Sequence, residues 1–365
     1  MNGAISRQYF RCFVGLCAVA GLLVGVEMLS GRLVINFVFD SSPTDFRSAQ
    51  RQRFESAASN ASTWDRKFNL YVDHFRSSVR RPYAHRIVAK PTRLCDGDGP
   101  LVVIAVPSHT GSVAERTAIR LTWGSFARRE PWPVHGSTHI GNAATLVFVV
   151  GLDKSADVTE NGAKTTALAE EIQQYDDIVQ GNFVDDYVNL TLKSLLILKM
   201  MSEHCRNARF LLKCDQDVFV NVPHLVELLQ GVVGARRTFL GHVRHNSVAE
   251  RSGKNKVTKN EYPLETFPPF MPGPSYVVTN DLPRELLEAA EYMPYLVVED
   301  VYVTGVLGRM LGADYANLQG FSDVARRPSR CDVVKNRVTT RHGFSPRDFR
   351  ILWRLVKFTI PRCRY

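Results

Sequence analysis

Cysteine is scarce. Seven residues in 365 are too few for a disulfide-built scaffold, and no Cys-x-x-Cys pair is present to suggest zinc. No dense Lys/Arg run with interleaved aromatics occurs, which argues against nucleic acid as a partner. Internal repeats and long low-complexity tracts are also missing, so solenoid and fibrous classes are excluded. What remains is an ordinary globular composition, 45% hydrophobic and 22% charged, with room for one large domain or two small ones. The formal net charge of +10 suits an anionic substrate or a membrane face, and sign alone does not choose between them.

The N-terminus carries one long apolar stretch. Phe13 to Val26 is uninterrupted apolar or small, and after Glu27 the pattern resumes through Leu33 to Phe39. Such a length predicts a membrane helix over residues 12–39, with residues 1–11 as a cytosolic tail because Arg7 and Arg11 lie on that side. The competing reading is a cleaved signal peptide ending near Ala18-Val19-Ala20. Either places the rest of the chain in the secretory pathway, where Asn60-Ala-Ser62 and Asn189-Leu-Thr191 become glycan acceptors by motif. The cysteines beyond the apolar run are Cys95, Cys205, Cys214, Cys331 and Cys363. An odd number in an oxidising lumen means one or two bridges and at least one free thiol, with connectivity open.

Residues 40–94 are polar and Arg/Ser-rich with one short helical pattern around Trp64 to Phe75, which reads as a stem. Asp96-Gly-Asp98-Gly-Pro100 marks the edge of a domain spanning 95–365. Strand patterns at Leu101–Val106, Thr145–Val150 and Phe210–Leu212 alternate with helical patterns at Glu115–Trp123, Lys164–Tyr175 and Leu190–His204. This alternation predicts an α/β fold with a mostly parallel central sheet and helices on both faces, its ligands at the carboxyl ends of the strands.

Chemistry concentrates in a few segments. Asp215-Gln216-Asp217 sits between two strand-like runs, where alternate carboxylates can serve one hard cation. Alone, such a triplet is more often a turn or a solvated pair. Glu299-Asp300 follows an apolar run, and Asp300 is either a general base for an acceptor hydroxyl or a helix N-cap. Arg116 and Arg120, one helical turn apart, could meet a diphosphate or be solvated helix arginines. Lys193 opens an otherwise apolar helix and either pairs an anion or snorkels. His342 precedes a helix start marked by Ser345 and Pro346, as a metal ligand or a structural histidine.

Together these segments resemble the beta-1,3-galactosyltransferase family of inverting glycosyltransferases, which includes beta-1,3-N-acetylglucosaminyltransferases. The likeness covers roughly Leu101 to Phe358. It is carried by Arg116-Thr-Ala-Ile-Arg120-Leu-Thr-Trp123-Gly124, by Glu171 through Tyr175-Asp-Asp177-Ile178, by Phe183-Val-Asp185-Asp-Tyr187 and by Asn189-Leu-Thr-Leu-Lys193. Further on it continues through Glu261-Tyr262-Pro263, Phe267-Pro-Pro269-Phe270, Gly273-Pro-Ser-Tyr276, Glu299-Asp300-Val-Tyr302 and His342-Gly-Phe344-Ser-Pro346.

The resemblance implies a GT-A-like fold, a UDP-galactose or UDP-N-acetylglucosamine donor and a divalent cation such as Mn2+. It implies Asp217, Asp215 and His342 as metal ligands and Asp300 as the base. Arg116, Arg120, Trp123, Lys193 and Asp215 would shape the donor site. It also implies a glycan acceptor on glycoprotein or glycolipid and a single-pass type II protein of the Golgi membrane. The sequence departs from the family at Gln216, where a third aspartate is usual, at Pro274-Ser275 after Gly273, and at Val306, where many members have cysteine. Two alternatives stand beside this reading: a glycoside hydrolase built on the same carboxylates, and a non-catalytic relative that binds sugar or UDP.

Overall fold

The computed structural model describes residues 22–29, 32–39, 58–76, 81–133, 140, 143–153 and 166–358. It divides into one unit up to Lys67 and a second from Phe68.

In the first unit, β1 (Leu22–Leu29) and β2 (Arg32–Phe39) pair antiparallel, from Leu22 opposite Phe39 to Leu29 opposite Arg32. The membrane helix expected over 12–39 is not shown by the described part of that range. The two segments are rich in β-branched residues, Val24, Val26, Val34, Ile35 and Val38, and are separated by Ser30-Gly31, a pair typical of hairpin loops. Among the described residues no helix is long and apolar enough to cross a membrane. The remainder of the apolar run, residues 12–21, lies outside the described residues.

The second unit is built on an eight-stranded sheet. Its strands are β3 (Ile87–Ala89), β4 (Val102–Pro107), β5 (Ala144–Leu152), β6 (Ile178–Val184), β7 (Phe210–Cys214), β9 (Thr238–Gly241), β10 (Ser275–Thr279) and β11 (Asp314–Asn317), in the order β11-β9-β10-β7-β4-β5-β6-β3. The short strands β8 (Phe219–Val220) and β12 (Thr340–Arg341) form a separate ladder. At the centre, β7, β4, β5 and β6 run parallel, as the alternating pattern predicts. The sheet as a whole is mixed. β10 lies antiparallel between β7 and β9, and β3 is antiparallel on β6. No helix intervenes between Gly241 and Ser275, so the crossover that a parallel neighbour requires is absent there.

The helices are α1 (Ala58–Phe75), α2 (Val113–Arg120), α3 (Thr166–Tyr175), α4 (Leu190–His204), α5 (Val222–Gly231), α6 (Pro283–Ala290), α7 (Arg330–Val334) and α8 (Pro346–Phe358). A π-helical turn, Val301–Leu307, follows Asp300. Every residue of β4 is buried, because both sheet faces are covered. Val102, Ile104 and Val106 share one apolar cluster with Ile119 of α2 and Phe349, Leu352 and Trp353 of α8. The alternate face takes α4, which packs on β4, β5 and β6.

Part of the segment read as a stem belongs to this unit. β3 forms the sheet edge, and the ring of Tyr71 lies 5.0 Å from that of Tyr262. A three-residue edge strand leaves too short a pattern to register as periodicity. Cys95 and Cys205 form a disulfide, Cys331 is also bridged, and Cys214 is a buried free thiol.

Candidate active site

The carboxyl ends of β4, β5, β6 and β7 open on one rim, where the residues after each strand meet. Lys193, from the start of α4, donates to the Ser108 carbonyl at 2.5 Å and pairs with Asp185 at 2.6 Å. Asp185 follows β6 and accepts the backbone N–H groups of Thr110 and Gly151 at 3.1 and 2.9 Å. One buried ion pair therefore fixes the exits of three strands. Burial, and secondarily Arg116, lowers the Lys193 pKa, and Asp185 opposes the shift.

Arg116 is fully buried, and its five N–H groups all meet protein acceptors. They are the two Glu171 oxygens at 2.8 and 2.6 Å, the Ser108 hydroxyl at 3.0 Å, and the His109 and Thr110 carbonyls at 2.5 and 3.0 Å. Arg120 is bidentate to Asp177 at 2.7 and 2.8 Å and reaches Glu171 at 2.7 Å, with the Tyr175 ring 3.9 Å from its guanidinium carbon. Trp123 is fully buried in the core. Of these side chains Arg116 holds the Ser108–Ser112 loop directly, through the Ser108 hydroxyl and the His109 and Thr110 carbonyls. In the sequence Glu171, Asp177 and Asp185 are only letters within motifs. Their partners lie some 50 or more positions away in several cases, beyond any local pattern.

The acidic triplet follows β7. Lys213, fully buried within that strand, contacts Asp215 at 2.7 Å, the Gly273 carbonyl at 2.7 Å and Glu299 at 3.3 Å. Burial alone would depress the Lys213 pKa, but Asp215, Glu299 and then Asp300 outweigh it and hold the ammonium well above the ordinary lysine range. The N–H of Gly273 donates to Asp300 Oδ2 at 2.7 Å, and the N–H of Val301 donates to Asp300 Oδ1 at 2.9 Å. Glycine suits this close approach, since a Cβ at position 273 would stand 3.3 Å from Asp300 Oδ2. Glu299 accepts the Tyr276 hydroxyl at 2.6 Å. Burial first, and the adjacent Glu299 charge second, push the Asp300 pKa up to about 6, against the two N–H donors and Lys213. Lys213 is the central residue that sequence reasoning misses. Its signal is a lone cation inside an apolar strand, in the same period-two register as Asp215 and Asp217.

Asp217 and His342 are brought together by the β8·β12 ladder, which pairs Phe219 with Arg341. Beyond it, Phe344 N–H donates to the Asp217 carbonyl at 2.9 Å and Gly343 N–H to Asp217 Oδ2 at 3.2 Å. Gly343 has φ +89°, a left-handed value that favours glycine. His342 Nε2 lies 2.7 Å from the Asp323 carbonyl. A carbonyl only accepts, so Nε2 carries a proton, and Nδ1 is the nitrogen left free to offer a lone pair. That is the arrangement by which a backbone carbonyl orients a metal-binding imidazole. Asp323 in turn pairs with Arg244, and His242 Nε2 lies 3.5 Å from it; neither Asp323 nor Arg244 carries a sequence motif that would single it out.

Among the described residues no three His, Cys, Asp or Glu side chains converge to hold a metal by themselves. The donor set nevertheless fits a hard divalent cation that shares its shell with phosphate oxygens, since such ions use one or two carboxylates plus substrate. Asp217 and His342 Nδ1 would be the groups to hold it. Asp215 is already neutralised by Lys213.

The sequence profile described as galactosyltransferase matches residues 114–319, which contain the rim from α2 to Asp300. Beta-1,3-galactosyltransferase 5 of Pan paniscus is 34% identical over 222 residues, covering 60% of this chain and 68% of that protein. UDP-GalNAc:beta-1,3-N-acetylgalactosaminyltransferase 1 of Sus scrofa is 30% identical over 265 residues, covering 72% and 76%. Among solved structures, a glycosyltransferase involved in the glycosylation of the major capsid of PBCV-1 matches with TM-score 0.34 and 12% identity, over 69% of this chain and 98% of that one. The chain is thus a glycosyltransferase by family. It belongs to the beta-1,3-galactosyltransferase family.

Proposed function

We propose that the protein transfers galactose, N-acetylglucosamine or N-acetylgalactosamine from a UDP-sugar to a hydroxyl of a glycan acceptor, with inversion to a β1,3 linkage. The observation that carries this reading is the chain of contacts Asp215–Lys213–Gly273–Asp300, each 2.7 Å. It ties the carboxylate that suits a base to the loop that suits the donor diphosphate. Asp300 takes the proton of the acceptor hydroxyl as it attacks the anomeric carbon on the face opposite UDP. Lys213 keeps Asp215 and Gly273 in register, and the Arg116 clamp holds the Ser108–Ser112 loop against the donor. Bound at Asp217 and His342, a divalent cation such as Mn2+ would neutralise the diphosphate.

Membership of a glycosyltransferase family sets aside the glycoside hydrolase. A non-catalytic relative is favoured only by Gln216, whose contacts are those of a structural strut. The Cys95–Cys205 bridge is compatible with a secretory lumen, and we place the enzyme at the Golgi membrane with the apolar N-terminal run as its type II anchor.

The test incubates the full chain with Mn2+ and UDP-galactose, UDP-N-acetylglucosamine or UDP-N-acetylgalactosamine, and measures UDP release with and without β-galactoside and N-acetylglucosaminide acceptors. Acceptor-dependent release with one donor, abolished by EDTA and by Asp217→Ala, is the expected result. Release that survives Asp217→Ala at saturating metal removes that residue from the site.

A further inference from the structure

The opposite rim of the sheet carries a polar cavity of about 140 Å³. Its walls come from the turns Arg206–Arg209, before β7, and Val233–Arg236, before β9, and from Thr279-Asn280-Asp281 after β10. The length of β7, five residues, separates it from Asp215 by roughly 20 Å at strand rise. It is therefore not an extension of the donor site.

Three guanidiniums, those of Arg206, Arg209 and Arg236, line this one cavity. Arg206 Nε donates to the Ser202 carbonyl at 2.7 Å, and among the described residues none of the three has a carboxylate partner. The single acid of the lining, Asp281, is committed elsewhere: both its oxygens accept the backbone N–H of Arg237, at 3.1 and 3.0 Å. Three like charges with one carboxylate in the lining leave an excess of positive charge, and the arrangement gains when an anion enters.

The backbone under the arginines is rigid. Cys205 is bridged to Cys95, Asn207 donates to the Cys95 and Gly97 carbonyls at 2.9 and 2.6 Å, and Asn280 Nδ2 donates to the Cys205 and Ala208 carbonyls at 2.8 and 2.9 Å. Those two donations fix the Asn280 amide orientation. A cavity lined by guanidiniums that no carboxylate neutralises suits an anion with several acceptor oxygens. A phosphate ester, with two or three strong acceptor oxygens and a charge of about −1 to −2, has that character.

We infer that the cavity of Arg206, Arg209, Arg236 and Asn280 is a phosphate-binding site remote from the transfer site. The phosphate is either that of a soluble ester or that of a lipid headgroup bearing hydroxyls.

The test is equilibrium dialysis of the full chain against radiolabelled inorganic phosphate in EDTA, together with flotation on phosphatidylinositol and phosphatidylcholine vesicles. Arg206→Ala/Arg209→Ala/Arg236→Ala is compared with Arg347→Ala/Arg350→Ala/Arg354→Ala, which removes the same charge from the exposed face of α8. Thermal unfolding of both triples confirms that they fold. The expected result is phosphate binding weakened at least tenfold in the first triple and unchanged in the second. Binding of free phosphate without flotation assigns a soluble ester. Preferential flotation on phosphatidylinositol, lost in the first triple alone, assigns a lipid headgroup. Equal loss in both triples, or no binding by the unmodified chain to either probe, overturns the inference.

Discussion

The Ser108 hydroxyl donates to Gln216 Oε1 at 2.9 Å, joining the exit of β4 to the middle of the acidic triplet. Arg116 donates to the same hydroxyl, which leaves Gln216 as the natural recipient of its proton. Gln216 Nε2 reaches the Ser112 hydroxyl at 3.3 Å, so the residue that departs from the family's usual aspartate braces both ends of one loop. Gln216→Ala should raise the donor KM about five- to tenfold, the equivalent of one lost hydrogen bond of about 1 kcal/mol, while kcat changes little. Steady-state kinetics with varied UDP-sugar separate the two parameters.

Asp300 should impose an acid limb on turnover. With its pKa raised to about 6, the carboxylate is charged and able to accept a proton only above that value, so kcat should climb as pH rises through about 6 and then level off. Asp300→Asn should remove the limb and lower kcat by about 10² to 10⁴, the usual range for loss of a general base. The same shift acts on stability with opposite sense. The folded state holds a proton that the unfolded state releases, so this residue's contribution falls as pH rises from the ordinary aspartate range to about 6. A pH series of kcat beside one of thermal midpoints distinguishes the two effects.

Lys213→Met should unfold the site before it alters chemistry. It would leave Asp215 and Glu299 without their buried counter-charge, and breaking such a pair from one side costs about 3–5 kcal/mol. A large fall in the urea midpoint is expected. A midpoint within experimental error of the unmodified chain would show that Lys213 is not the hub described above.

Much of this architecture is legible in the chain. The run Val102–Pro107 is continuous and apolar, as a strand buried on both faces must be, and Leu190–His204 shows helical spacing along its whole length. Ser345 and Pro346 mark the start of α8 correctly because capping chemistry is local. β3 and the antiparallel placement of β10 are not legible, since pairing direction depends on connections and neighbours rather than on residue order. At the site, Asp217 and Asp300 stand out as carboxylates beside apolar runs. Their regulators Lys213, Gly273 and Gly343 act through tertiary contacts, and Arg116 is recognisable as a support only once all five of its donors are traced.

The clamp around Glu171 should set the acid stability of the fold. Burial would raise the Glu171 pKa, but Arg116 and Arg120 prevail and hold it below the usual carboxylate value. Its contribution is fully present above the unfolded carboxylate pKa and disappears as pH falls through the lower folded one. Glu171→Gln should be less stable at neutral pH yet lose proportionately less on acidification. Denaturant midpoints measured from pH 7 down to pH 3 would reveal the difference in slope.

The Cys95–Cys205 bridge spans 110 residues, and this separation matters for biosynthesis. At about 5–20 residues per second, the first cysteine leaves the ribosome several seconds ahead of its partner. During that interval β4 has no β7 to pair with, and its apolar surface stays open on the side where Phe210 and Leu212 will later dock. Nascent chains should therefore depend on a holding chaperone until Cys214 has emerged, and on an oxidoreductase once Cys205 has.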